Sequence, residues 1–119
     1  MLVKELPWRS PDAFIAQYGN EPWSALLDSG GAANDRARWS FFCCRPSATL
    51  KGDTPSDWAR LATLLPPETQ ASSLPFTGGL IGLASYEAGL ALEKIPSRHA
   101  PFIPDLTLAR YEAPSSSTV

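Results

Sequence analysis

Cysteine and histidine supply many protein nucleophiles, bases and metal ligands, and this 119-residue sequence holds two cysteines and one histidine. Cys43 and Cys44 are adjacent, so on a strand their side chains would point to opposite faces. His99 lies far from both in a polar turn, and the three residues therefore lack the spacing of a zinc site. The sequence also has no Gly-x-Ser-x-Gly nucleophile elbow and no Gly-x-x-x-x-Gly-Lys phosphate loop. The residues predict no self-contained catalytic site.

Three glycines are grouped in the segment Gly78–Gly82, where a glycine-rich loop could hold a phosphate group. The dinucleotide-binding pattern is Gly-x-Gly-x-x-Gly after a strand, with an acidic residue about twenty positions later on a second strand. This segment has the spacing Gly-Gly-x-x-Gly and lacks that acidic residue. Glycine inside a strand more often marks a bulge or the close approach of another backbone. We therefore interpret the segment as a packed strand.

The charge balance excludes several classes of partner. The sequence has ten lysines and arginines against twelve aspartates and glutamates, which gives a formal net charge of −2. Without a basic excess, binding to nucleic acid or to an anionic membrane surface is not expected. No apolar run reaches the roughly 20 residues of a membrane-spanning helix, and no secretory signal is recognisable. We expect a cytoplasmic protein.

Capping residues and hydrophobic spacing predict the helices and strands that position the cysteines and the glycine segment. Ser10 can cap a helix that has Pro11 at its first position and ends at Gly19, and further helices are expected after Thr54 and after Tyr86. This mixture of short elements predicts an α+β fold with antiparallel sheets. We expect one domain over residues 1–112 and a disordered tail over residues 113–119. The expected strands are Trp23–Leu27, Trp39–Cys44, Ala48–Leu50, Gly79–Tyr86 and Leu106–Tyr111.

Three motifs occur in an order that is typical of one enzyme family. Residues 26–29 (Leu-Leu-Asp-Ser) resemble the Leu-Leu-Glu-Ser element of the component I proteins of anthranilate synthase and aminodeoxychorismate synthase. Residues 38–42 (Arg-Trp-Ser-Phe-Phe) resemble the Arg-Tyr/Phe-Ser-Phe strand of the same family. Residues 75–87 resemble its signature Pro-Phe-x-Gly-Gly-x-x-Gly-x-x-x-Tyr-Asp, matched here at Gly78, Gly79, Gly82 and Tyr86. The chain is identified as a member of this family over about residues 5–112.

The resemblance implies a fold and an activity. The compact spacing of the motifs favours the aminodeoxychorismate branch, with the N-terminal region of anthranilate synthase component I as the alternative. The family's fold is a large α+β body of two packed antiparallel sheets with flanking helices. Its members of this branch aminate chorismate to 4-amino-4-deoxychorismate on the way to para-aminobenzoate and folate. A glutamine amidotransferase partner supplies the ammonia, and Mg²⁺ holds the chorismate carboxylate.

The family's chorismate and magnesium sites lie in a C-terminal part that has no counterpart in this sequence. The resemblance therefore implies an N-terminal fragment that is inactive alone, with no catalytic residue and no cofactor of its own. Its expected partners are the missing chorismate-binding part and the amidotransferase subunit or domain.

The resemblance also implies a tryptophan pocket in the N-terminal region. Asp28 and Ser29 would bind the ammonium and carboxylate groups of the amino acid, and Leu26 and Trp39 would hold its indole ring. Asp28 is one methylene shorter than the family's Glu, and Glu87 replaces the Asp that follows the signature tyrosine. The candidate residues are Leu26, Leu27, Asp28, Ser29, Arg38 and Trp39.

Other interpretations of the pocket residues and of the whole chain stay open. Taken without the family, residues 28–31 are typical of a turn whose side chains bond their own backbone, and Trp39 is a residue that packs in a core. The chain as a whole could also be a free-standing tryptophan-binding module, or a folded fragment without retained activity.

Overall fold

The computed structural model describes residues 3–32, 34–53, 55–65, 72–96, 103–112 and 115–118. His99, Thr54 and part of the tail lie outside these ranges. In chain order the elements are α1 (Pro11–Tyr18), β1 (Ala25–Asp28), β2 (Trp39–Cys43), β3 (Ala48–Gly52), α2 (Pro55–Ala59), α3 (Leu61–Leu64), β4 (Gly79–Ala84), α4 (Tyr86–Leu92), β5 (Leu106–Tyr111) and β6 (Ser115–Thr118).

The strands form two antiparallel three-stranded sheets. The first sheet has the order β1-β2-β6, and its central strand places Phe41 opposite Leu27 of β1. The second sheet has the order β3-β5-β4, and its central strand places Ala109 between Thr49 of β3 and Ile81 of β4. The predicted α+β class, with antiparallel sheets and flanking helices, is confirmed.

Helix α1 begins and ends where the capping residues predict. The Ser10 Oγ accepts a hydrogen bond from the Ala13 N–H at 3.3 Å, and the Gly19 N–H closes the last turn at 2.8 Å. The Phe14 ring stacks on the Phe42 ring, with centroids 5.6 Å apart. Helix α1 therefore covers the face of the first sheet that carries Phe42.

The helices α2 and α4 cover the outer face of the second sheet. Leu50 and Leu106 are buried there. The register of β3 with β5 places both side chains on this face of the sheet. Helix α2 contacts both β3 and α4, and Ala88 of α4 is buried.

A small core joins the opposite face of the second sheet to the first sheet. Tyr111, the last residue of β5, donates a hydrogen bond from its hydroxyl to the backbone carbonyl of Trp23. Trp23 has a φ of 65°, in the left-handed region, and directly precedes the segment that enters β1. The buried members of the core are Cys43, Ala109 and Tyr111, and the partly buried residues around it are Trp23, Ala25, Phe76 and Ile81.

Away from this core, the facing surfaces of the two sheets are open. Leu27 shares a face with Cys43 and is 47% exposed, and Leu83 shares a face with Ile81 and is 55% exposed. The Cα radius of gyration is 16.6 Å, whereas a compact domain of this length has a radius of about 13.5 Å. The sheets therefore share one corner of a core rather than a complete sandwich interior.

The structure divides the helix that was predicted to follow Thr54. Helix α2 ends at Ala59 and α3 begins at Leu61. Around Arg60 the backbone bonds span three residues, from the Arg60 N–H to the Asp57 carbonyl at 3.1 Å and from the Thr63 N–H to the Arg60 carbonyl at 3.0 Å. This tight turning interrupts the α-helical pattern.

The predicted disorder of the tail 113–119 is wrong for residues 115–118. These residues form β6, which pairs with β2 from Phe42 opposite Ser115 to Trp39 opposite Thr118. The pairing uses backbone groups, which any residue except proline can supply on both sides, so a polar sequence of serines and threonine does not prevent it. The domain boundary at residue 112 stays a prediction.

Tyr111→Phe tests the bond between the sheets. The variant leaves the Trp23 carbonyl without its donor, so we expect the free energy of unfolding to fall by about 1–2 kcal/mol. Urea denaturation measures this change. Tyr86→Phe is the matched control, because the Tyr86 side chain is 81% exposed and the expected change is below about 0.5 kcal/mol. Equal losses in the two variants would contradict the role of Tyr111.

Candidate functional site

The register of β1 with β2 divides the predicted pocket residues between two faces. Asp28 pairs with Ser40 and Leu26 pairs with Phe42, so both lie on the face that α1 covers. Leu27 pairs with Phe41, which shares the opposite face with Trp39 because residues two apart on a strand point the same way. The predicted pairing of Leu26 with Trp39 around an indole is therefore wrong, since the sheet itself separates the two side chains.

Asp28 and Ser29 make hydrogen bonds within their own hairpin. The Asp28 Oδ1 accepts from the Ser40 hydroxyl at 2.7 Å and from the Gly30 N–H at 3.3 Å. The Ser29 hydroxyl donates to the Trp39 carbonyl at 3.3 Å. These contacts fit the turn interpretation of the segment. They also hold the end of β1 against β2, which fixes the position of the strand that carries Leu27.

Aromatic side chains continue along the other face of β2. The Trp39 and Phe41 rings lie nearly parallel, with centroids 6.0 Å apart and an interplanar angle of 8°. The Phe76 ring meets Phe41 edge-on at 5.7 Å, and the Arg38 guanidinium lies 5.4 Å from the centre of the Trp39 ring. We call Trp39, Phe41 and Phe76 the aromatic row.

The aromatic row is half-buried and is bordered by the exposed Leu27. An apolar aromatic surface with a guanidinium at one end can hold an aromatic ring and an anionic group. Sequence reasoning had singled out Trp39, Arg38 and Leu27 but missed Phe41 and Phe76. Both belong to the motifs at residues 38–42 and 75–87, so the motifs held the signal, but only the fold shows that they are in contact.

The glycine segment packs a strand rather than forming a phosphate loop. Gly78 has a φ of 138°, and a Cβ at this position would lie 2.9 Å from the Tyr111 carbonyl oxygen. At Gly82 an added Cβ would collide with the Leu108 side chain and with the Thr107 carbonyl oxygen. The glycines therefore let β4 approach β5 closely. Gly79 begins β4 opposite Tyr111, and Tyr86 begins α4 with its ring exposed to solvent.

Gly82→Ala and Gly89→Ala form a matched pair that tests this packing. The collision at position 82 predicts a fall in the free energy of unfolding of about 1–3 kcal/mol. At position 89, inside α4, no atom lies within 4 Å of the added Cβ, so alanine should stabilise the helix by up to about 1 kcal/mol. Thermal or urea unfolding measures both changes. Destabilisation of the same size in both variants would contradict close packing at Gly82.

The ionisable groups near the core are not tuned for nucleophilic catalysis. Burial raises the pKa of the Cys43 thiol to about 11, and burial also raises the pKa of Cys44. Neither thiol is a thiolate near neutral pH, so neither has the activated form that catalysis uses. A hydrogen bond from Arg45, 2.8 Å long, lowers the pKa of Glu21. This exposed pair contributes little to stability.

The described residues bring no three histidine, cysteine, aspartate or glutamate side chains into a group that could hold a metal ion. The resemblance assigns Mg²⁺ to the C-terminal part of the family's proteins, and that assignment stays a prediction. Within the same residues, no helix has the length and apolarity needed to cross a membrane.

The fold and the site together define an α+β protein of two small antiparallel sheets with an aromatic surface on one of them. Aminodeoxychorismate synthase component 1 of Klebsiella aerogenes is 31% identical to this chain, in a match that covers 90% of the chain and 29% of that relative. The protein of the same name in Salmonella typhimurium strain LT2 is 32% identical, over 92% of the chain and 29% of the relative.

The family recognised from the motifs is thereby confirmed, and the chain is a relative of aminodeoxychorismate synthase component 1. It spans about 29% of the length of the curated relatives that it matches. No family model matches the chain, and no solved structure matches it.

Proposed function

We propose that this chain is the N-terminal section of an aminodeoxychorismate synthase component 1. That protein would aminate chorismate to 4-amino-4-deoxychorismate for para-aminobenzoate and folate synthesis. The observation that carries the proposal is the match to two component 1 proteins over about nine-tenths of this chain. The three motifs lie inside the matched length and occur in the order expected for the family.

The section contributes structure rather than reacting groups. Its two sheets share only one corner of a core, so apolar side chains such as Leu27 and Leu83 are left for other parts of a larger protein to cover. The remaining length of component 1 would supply the chorismate site and its Mg²⁺, and a glutamine amidotransferase would supply ammonia.

A hybrid protein tests this assignment. Residues 1–112 of this chain replace the matched section of the Klebsiella aerogenes component 1, and formation of 4-amino-4-deoxychorismate is measured with chorismate, an ammonium salt and Mg²⁺. We expect the hybrid to aminate chorismate, because the substituted section is 31% identical to the section that it replaces and contains the family's motifs. The relative without its matched section should be inactive. A soluble, folded hybrid without activity would contradict the assignment.

The aromatic row favours a second role for the same section, which is the binding of an aromatic amino acid such as tryptophan. The half-buried face of Trp39, Phe41 and Phe76 would take the indole ring, and Arg38 borders it. Asp28 lies on the opposite face of this sheet but is the last residue of β1, so its carboxylate would reach the ammonium group only around the end of the strand, after turning away from Ser40.

Titration calorimetry of the hybrid with L-tryptophan, with L-phenylalanine as the control ligand, tests this role. Asp28→Asn preserves the size of the side chain and the oxygen that accepts from Ser40, but removes the charge. If Asp28 binds the ammonium group, the dissociation constant for tryptophan should rise about tenfold, which corresponds to about 1.4 kcal/mol. An unchanged constant would assign Asp28 to the turn alone, and absence of saturable heat would contradict the binding role.

A further inference from the structure

The outer edge of β4 differs from the other sheet edges of this chain. Strand β1 ends in Asp28 and contacts α1, β3 contains Lys51 and contacts α2, and β6 consists of serines and a threonine. Strand β4 has the sequence Gly-Leu-Ile-Gly-Leu-Ala, with no charged residue and no proline. Within the described residues it pairs only with β5.

An unprotected sheet edge of this kind is unusual in natural proteins. Natural sheets protect exposed edges with charges, prolines, bulges or a covering segment, because unpaired backbone groups recruit other strands. The composition of β4 therefore indicates an edge that another segment covers.

Both faces of the outer half of β4 are exposed as well. Gly82, Leu83 and Ala84 are all exposed, and Leu83 has 55% of its surface open to solvent. Tyr86, two residues beyond the end of β4, is 81% exposed. The half of β4 that is furthest from the core thus offers both free backbone groups and apolar side chains.

The length of the relatives identifies the occupant. More than two thirds of each component 1 relative lies outside the match with this chain. Among the described residues, the facing surfaces of the two sheets are fully covered only around Cys43, Ala109 and Tyr111, so additional strands and side chains would complete their interior. A segment of the same longer protein would reach this edge at a high effective concentration, which a separate partner would not have.

We propose that the outer edge of β4 pairs with an extended strand from the section of aminodeoxychorismate synthase component 1 that lies outside the match. The inference rests on the function proposed above. The incoming strand forms hydrogen bonds with the outward backbone groups of Gly79–Ala84. It places an apolar side chain beside Leu83, and its residues that pair with β4 are uncharged. Strand β4 thereby becomes an inner strand of a wider sheet.

Hydrogen exchange of the β4 amides tests the pairing. About half of the amides of an edge strand point away from its neighbour, and in the 119-residue chain alone we expect these amides to exchange rapidly. In the hybrid described above, the same amides should exchange at least about tenfold more slowly, because a second strand accepts their hydrogen bonds.

Leu83→Lys and Leu65→Lys, made in the hybrid, form a matched pair of variants. The two leucines are 55% and 56% exposed, but Leu83 lies on β4 and Leu65 follows α3. Leu83→Lys should return exchange of the β4 amides toward the rate in the chain alone and should lower the unfolding temperature of the hybrid. Leu65→Lys should change neither measurement.

The outcomes separate this inference from the proposed function. A hybrid that aminates chorismate while its β4 amides exchange as fast as in the chain alone overturns the strand pairing and leaves the function intact. A folded hybrid that is inactive but protects β4 supports the pairing and overturns the function. Protection that appears in the chain alone and increases with its concentration assigns the edge to a second copy, and overturns the inference.

Discussion

The hydrogen bond from the Tyr111 hydroxyl to the Trp23 carbonyl is the contact on which the rest of the arrangement depends. It connects the end of the central strand of one sheet to the approach to the outer strand of the other. Cys43 and Ala109 pack beside it, and few further buried residues separate the sheets. Because a domain is stable by only about 5–15 kcal/mol, one polar bond in so small a core has a large effect.

The position of the candidate site follows from this junction. The junction brings β2 near Phe76, and this side chain completes the aromatic row from a segment far along the chain. The hairpin bonds of Asp28 then set the register that places Leu27, rather than Leu26, beside the row. A shift of a single residue in this register would exchange the two faces. The motif identified the correct segment, but the choice between adjacent leucines depends on register.

Local signals in the sequence predicted the local structure well. Ser10, Pro11 and Gly19 fixed α1, and the alternation of residues 106–111 fixed β5 to the residue. The other predicted strands are present with bounds that differ by at most two residues. The glycine segment was correctly interpreted as a packed strand. Glycine inside a strand marks the close approach of another backbone, and this signal lies in the segment itself.

The failures involve partners distant in the sequence. Residues 115–118 have no hydrophobic alternation, and only the free edge of β2 makes them a strand. The aromatic row combines residues 39 and 41 with residue 76, and no spacing rule along the chain predicts that contact. The break at Arg60 is a local feature, but the apolar spacing of Trp58, Leu61 and Leu65 suits a continuous helix and conceals it.

The separation between Trp23 and Tyr111 has a consequence for synthesis on the ribosome. The two residues are 88 positions apart, and β5 is also the strand that joins β3 to β4. A ribosome adds roughly 5–20 residues per second. Helix α1 and the hairpin of β1 and β2 are therefore synthesised several seconds before β5 leaves the exit tunnel. During that interval the nascent chain displays the aromatic side chains of β2 without a core to receive them. Chaperones that bind emerging apolar segments would therefore contact the aromatic side chains of β2 before the second sheet of this protein has formed.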